Sequence, residues 1–247
     1  MANLVVDIGN TATKLAVMEG NVVVDKLVDS SASFGEGRAF LAMHGSLPRA
    51  IISSVRRADD AATMLVRRLL PNAVTLTHAT PLPIRNLYAT PETLGCDRLA
   101  AAVGAACRFP GCNVLVVDAG TTITYELVSE RGEYLGGNIS PGITLRFKSL
   151  HDFTGLLPLC AAAAAAGNSS YSSPGRSTRE AITAGVLNGV AYEVEVNVEQ
   201  FALKYSNLKV VFTGGDADFL AKRIKKPIFV DYDLVLIGLN RILERLC

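Results

Sequence analysis

A nine-residue pattern occurs twice in this 247-residue chain, and it constrains the fold more than any other feature. Val5-Val6-Asp7-Ile8-Gly9-Asn10-Thr11-Ala12-Thr13 returns, 111 residues later, as Val116-Val117-Asp118-Ala119-Gly120-Thr121-Thr122-Ile123-Thr124. Each copy ends a β-branched, apolar run with an acid, places Gly two positions on, and supplies hydroxyls before apolar residues resume. This reads as a strand, a tight turn and a returning strand. Gly lets backbone N–H groups approach an anion, hydroxyls donate to phosphate oxygens, and a strand-end carboxylate can hold a hydrated cation. One copy alone reads as well as an ordinary β-hairpin. Two copies favour a duplicated phosphate site, a clamp for a nucleoside triphosphate.

Length permits one large domain or two of about half the chain each, and the repeat spacing favours two, 1–112 and 113–247. With 49% hydrophobic and 19% charged residues the chain reads as globular and soluble, and it contains no apolar run long enough for a membrane span. A net charge of +1 with scattered Lys and Arg argues against a nucleic-acid footprint. Cys96, Cys107, Cys112, Cys160 and Cys247 are odd in number and form no Cys-x-x-Cys pair, which suits a reducing cytoplasm better than a disulfide framework or structural zinc. The start enters a strand at once, so no secretory signal is expected.

The first half is expected to form strands at Leu4–Asp7, Thr13–Val17 and Val22–Leu27, an antiparallel meander, then a strand at Ala50–Val55, a helix at Ala61–Leu70 and a strand at Val74–Thr77. The second half opens alike, with strands at Val114–Asp118, Ile123–Val128 and Tyr134–Ile139. It then diverges into a long helix at Thr178–Tyr205, a strand at Lys209–Thr213 and a terminal helix at Leu234–Leu246. The alanine-rich helix Leu94–Phe109 is expected to cross between the halves. The six-alanine run Ala161–Ala166 has no polar face, and with the Ser/Gly-rich segment after it reads as a low-complexity, mobile loop without a function.

Neither a Walker sequence nor Gly-x-Gly-x-x-Gly occurs, so the paired hairpins must cradle any phosphate. Phosphoryl transfer needs charge neutralisation, in-line positioning and a residue that orients or deprotonates the attacking hydroxyl. Asp7 and Asp118 suit Mg2+, Lys14 suits a phosphate oxygen, and Asp97 remains for the acceptor alcohol. Arg98 can pair with an acidic acceptor. The alternative is that Asp97 and Arg98 merely occupy a first helical turn, where an acid favours the dipole but Arg98 needs an anionic partner.

Six segments, in order, resemble the motifs of type III pantothenate kinase: Asp7 to Lys14; Gly95-Cys96-Asp97-Arg98; Asp118-Ala119-Gly120-Thr121-Thr122; Gly136 to Gly142; Thr178-Arg179-Glu180-Ala181-Ile182; and Thr213-Gly214-Gly215-Asp216-Ala217. The two-hairpin layout is also similar to the acetate and sugar kinase, Hsp70 and actin superfamily. The resemblance implies an α/β chain of two ribonuclease H-like domains, each a mixed sheet with a three-strand antiparallel meander flanked by helices, with ATP in the interdomain cleft. It implies transfer of the γ-phosphoryl of ATP to the primary hydroxyl of pantothenate, the first step toward coenzyme A, in a cytoplasmic homodimer with shared sites and dimerisation helices in its second half.

Site roles follow from the same resemblance. Asp7, Gly9, Asn10, Thr11, Lys14 and Thr121 fall on ATP contacts, and Gly214, Gly215 and Asp216 on the adenosine end. Asp118 resembles the ligand of an activating K+ or NH4+. Asp97 matches the proton acceptor, with Tyr88, Gly95, Cys96 and Arg98 around pantothenate and Thr178 reaching it from the neighbouring subunit. Cys96 stands where alanine is more familiar and is expected to act as a small apolar residue. Two alternatives stay open: a sugar or carboxylate kinase on the same fold, and a non-catalytic nucleotide-binding regulatory protein.

Overall fold

The computed structural model describes residues 1–161 and 173–246. The chain divides into two compact units: residues 1–112 with 126–136 and 233–247, and residues 113–125 with 137–232. A boundary therefore falls between Cys112 and Asn113, but a short internal segment and the last helix group with the first unit.

In the first unit, β1 (Ala2–Ile8) pairs antiparallel with β2 (Thr13–Glu19), and β2 with β3 (Val22–Asp29), which is the expected meander. β4 (Ala50–Ser54) lies parallel to β1 on its other side and carries β5 (Val74–Thr75), giving the order β3-β2-β1-β4-β5. Leu4, Val5, Val6 and Ile8 are all fully buried, because a central strand covered on both faces is a continuous apolar run. Two helices connect the strands: α1 (Gly35–His44), which the apolar spacing did not disclose, and α2 (Ala61–Leu69), capped by the Asp60 carboxylate accepting from the Thr63 N–H at 3.1 Å.

The alanine-rich segment becomes α3 (Cys96–Arg108) and lies wholly in the first unit, so it does not cross between halves as its position suggested. Its partner is α7 (Leu234–Leu246). A Cβ at Gly104 would overlap the Leu234 carbonyl, and one at Gly238 would overlap the Ala100 carbonyl. The two helices thus meet backbone to backbone, and this contact draws the end of the sequence into the first unit. The short strand β6 (Arg85–Asn86) pairs there with the beginning of β9 (Glu133–Pro141).

The second unit is built around β7 (Val114–Ala119), β8 (Thr122–Val128), β9, β10 (Lys209–Thr213) and β11 (Phe229–Val230), in the order β11-β10-β7-β8-β9. β10 runs parallel to β7 as β4 does to β1, so the repeated hairpin has the same parallel neighbour in both units. Around these strands come α4 (Ile143–Asp152), the 27-residue α5 (Thr178–Lys204) and α6 (Ala217–Ala221). Ile182, Val186, Leu187, Val190, Val194 and Val198 of α5 enter the unit's core with Leu115, Val117 and Phe212. Ala161 has no regular structure; the rest of the alanine run, with its loop reading, lies outside the described residues. Among the described residues no helix is long and apolar enough to cross a membrane.

Candidate active site

The first copy of the repeat folds as its spacing requires. The Gly9 N–H donates to the Ala12 carbonyl at 3.0 Å, closing the turn between β1 and β2 and leaving Asn10 and Thr11 exposed. Asp7 is directly opposite Lys14 across the antiparallel ladder and Ser53 across the parallel one, so the three side chains leave one face of the sheet. Arg56 fixes the turn: its Nε donates to the Gly9 carbonyl at 2.7 Å and its Nη2 to that of Asn10 at 3.3 Å. Arg56 thus ties down the Gly9 and Asn10 carbonyls from β4's side of the turn.

Asp97 enters at the second position of α3, where the helix dipole favours an acid. Its Oδ1 accepts from the Arg98 N–H at 2.8 Å. A Cβ on Gly95 would strike the same oxygen, so a larger residue there would push the Asp97 carboxylate from this position. Burial nevertheless holds the Asp97 carboxyl above the usual carboxylate range, against the lowering effect of the Arg98 N–H and charge. The neighbouring Cys96 thiol donates to the Leu76 carbonyl at 3.3 Å. Burial, with the charges of Asp97 and Asp7, raises its pKa, which keeps it a neutral thiol. Asp7, Cys96 and Asp97 therefore share one electrostatic neighbourhood in the first unit.

Arg98 has the anionic partner that its place in a first helical turn demands, and it is Glu126 of the chain itself. Arg98 Nε and Nη2 donate to the two Glu126 oxygens at 2.7 and 3.0 Å. The Tyr134 hydroxyl donates to Glu126 at 2.5 Å, and the Tyr88 ring lies 5.6 Å from the guanidinium carbon. Tyr88, Gly95, Cys96, Asp97 and Arg98 are thus brought together in the first unit.

The second unit assembles a different group. The Gly120 N–H donates to the Thr122 carbonyl and the Gly142 N–H to that of Thr121, both at 3.0 Å, while the Asp216 N–H donates to Ala119 at 2.9 Å. Gly214, at φ +90°, is the residue where any Cβ would strike Asp118 Oδ1 and the Ala119 backbone. Asp118, Thr121, Gly214, Gly215 and Asp216 therefore gather around one turn. Burial raises the Asp216 carboxyl. Thr178 is exposed at the first position of α5, just past the Ser177 cap.

Among the described residues no group of three or more His, Cys, Asp and Glu forms a metal cluster. Asp7 and Asp118 are single carboxylates, and Mg2+ bound with nucleotide phosphates needs only one or two, its remaining positions going to water and phosphate. Asp118 Oδ1 and the Ala119 carbonyl, both close to Gly214, are oxygen donors of the kind a monovalent cation takes.

A family model of type III pantothenate kinase matches residues 3–200. Across 98% of both chains the sequence is 46% identical to the type III pantothenate kinase of Porphyromonas gingivalis. It is 43% identical to that of Bacteroides fragilis over 98% of this chain and 97% of the relative. The chain belongs to the type III pantothenate kinase family.

Among solved structures, a Campylobacter jejuni chain named for the Baf family of transcriptional activators covers 98% of each chain with TM-score 0.63 and 22% identity. The activator of 2-hydroxyisocaproyl-CoA dehydratase from Clostridium difficile, with bound ADPNP, covers 98% of this chain and 93% of its own, with TM-score 0.57 and 17% identity. Identities this low show a shared fold alone. Three features are not announced by the sequence: Arg56 behind the Gly9 turn, the Glu126–Tyr134 pair behind Arg98, and a Glu193 cluster holding Ser140, Arg146 and Tyr125. The signal for Glu126 is an acid in the strand-forming run Ile123–Val128; nothing local marks its partner.

Proposed function

We propose that the kinase works through Asp97 as the base that receives the proton of the pantothenate hydroxyl while the γ-phosphoryl of ATP is transferred to that oxygen. The single observation carrying this is the Asp97 carboxyl at the α3 N-terminus, its proton affinity raised by burial. A base of that kind takes the proton late in a loose transition state, where little nucleophile activation is needed. The product is 4'-phosphopantothenate, the first intermediate toward coenzyme A.

Gly9, Asn10, Thr11 and Lys14 receive ATP phosphates, Asp7 holds Mg2+, and Asp118 holds K+ or NH4+. Bound Mg2+ supplies charge neutralisation on the phosphates. Thr121 makes a further ATP contact, and Gly214, Gly215 and Asp216 take the adenosine end. Tyr88, Gly95, Cys96 and Arg98 surround pantothenate, with Thr178 contributed by a second subunit. The exposed Tyr192, Val196 and Leu203 on α5, at 62%, 53% and 80%, support a homodimer formed along that helix. Four free cysteines among the described residues support a reducing, cytoplasmic setting.

The deciding experiment is ADP release with Mg-ATP and K+ over a panel of alcohols. Turnover with pantothenate and not with sugars or acetate is expected; turnover with a sugar alone removes the acceptor assignment.

A further inference from the structure

The Arg98 guanidinium is fixed along a single edge. Glu126 takes Nε and Nη2 in a two-point pair, and Nη2 also meets the Tyr134 hydroxyl at 3.1 Å. Tyr134 in turn gives its own proton to Glu126, and burial with the Glu126 charge keeps that phenol protonated. Tyr88 closes one side, its ring 5.9 Å from that of Tyr134. Its backbone is tied down, since the Tyr88 N–H donates to Asn86 Oδ1 at 3.0 Å and Asn86 is paired with Tyr134 between β6 and β9. The Arg98 side chain is 7% exposed and that of Glu126 0%. The Glu126 carboxylate is closed to an incoming molecule, so its effect on one passes through the groups it holds, Arg98 and Tyr134.

We infer that Glu126 is a positioning residue for acceptor selection: with Tyr134 and Tyr88 it fixes the plane of the Arg98 guanidinium, and so the direction in which that group meets the carboxylate of the acceptor. This rests on the reading of Arg98 as an acceptor contact. A lone arginine samples several rotamers, whereas a two-point ion pair fixes the plane of the guanidinium and therefore the direction of its N–H groups. The pair is also neutral overall. An acidic acceptor is consequently recognised by direction, through N–H groups already aimed, more than by bulk positive charge, and an uncharged analogue loses that contact.

The test compares pantothenate with its alcohol analogue, in which CH2OH replaces the carboxylate, as acceptors for the full chain at saturating ATP. In Glu126→Gln the preference for the acid, expressed as the ratio of the two kcat/KM values, should fall about tenfold or more, the scale of a charge-assisted hydrogen bond, with the KM for ATP unchanged. An equal loss on both acceptors, or an unchanged preference, overturns the proposal. Absence of any preference in the wild type would instead sink the Arg98 reading on which it stands. Tyr134→Phe removes one hydroxyl and keeps the ring; a smaller fall in the same ratio is expected, and this variant decides the matter if circular dichroism shows Glu126→Gln unfolded.

Discussion

Ser53 lies beside Asp7 across the parallel ladder of β1 and β4, fully buried, and its hydroxyl has no hydrogen-bond partner among the described residues. Thr213 repeats the arrangement beside Asp118 across β7 and β10, again fully buried with an unpartnered hydroxyl. The duplication thus extends from the hairpins to the strand next door. A buried hydroxyl without a partner costs free energy, so Ser53→Ala should leave stability unchanged or raise it by up to about 1 kcal/mol. Urea unfolding of the ligand-free protein checks this; a loss of that size would show that the hydroxyl is bonded.

Asp97→Asn should lower kcat by roughly two to four orders of magnitude, the usual contribution of a general base. Its unfolding midpoint at neutral pH should not fall, because the substitution removes a charge from a site where burial disfavours it. An unaltered kcat would mean that the hydroxyl proton goes to some group other than Asp97.

The raised Asp97 pKa has opposite signs for stability and activity. The folded state binds this proton more tightly than the unfolded chain, so the contribution to stability is present at low pH and lost as pH rises through the folded value. Activity needs the ionised form. The acid limb of kcat/KM should therefore lie above 3.8, the ordinary value for Asp, and should vanish from the residual activity of Asp97→Asn. A limb at or below the ordinary value contradicts the burial argument.

Gly238→Ala should destabilise the protein by about 1–3 kcal/mol or more, as overpacking does where neither neighbour can yield, since the atoms met are the Ala100 carbonyl and the Gly104 backbone. Gly189→Ala on α5, where an added Cβ meets nothing within 4 Å, is the control and should be neutral or slightly stabilising. Thermal unfolding of the pair distinguishes a packing effect from a general intolerance of alanine.

Replacing K+ by Na+ should raise the KM for ATP. Indifference to the cation would remove Asp118 from that role.

Much of this was legible because the informative features are local. The repeat, the apolar strands and the long helix Thr178–Lys204 each announce themselves within a few residues. The Asp97 segment was legible as chemistry because an acid and a base sat at the start of an apolar helix. Glu126 was not, since the ion pair joins a helix to a strand 28 residues away and only the folded sheet brings them together. Arg56 was hidden for the same reason, 47 residues from the carbonyl that it holds. The assignment of α7 to the first unit depended on two glycines whose meaning lies in what they let approach, and a missing side chain leaves no periodic signal.

The contact between α3 and α7 sets an order of events during synthesis. The helix that carries Asp97 leaves the ribosome early, while the helix that braces it follows only after the whole of the second unit has been made. Until then the Ala100 and Gly104 backbone has no partner, and the first unit waits half-built for its last wall. A ribosome-bound chain stalled before Leu234 would hold Asp97 and still lack the helix that packs against α3.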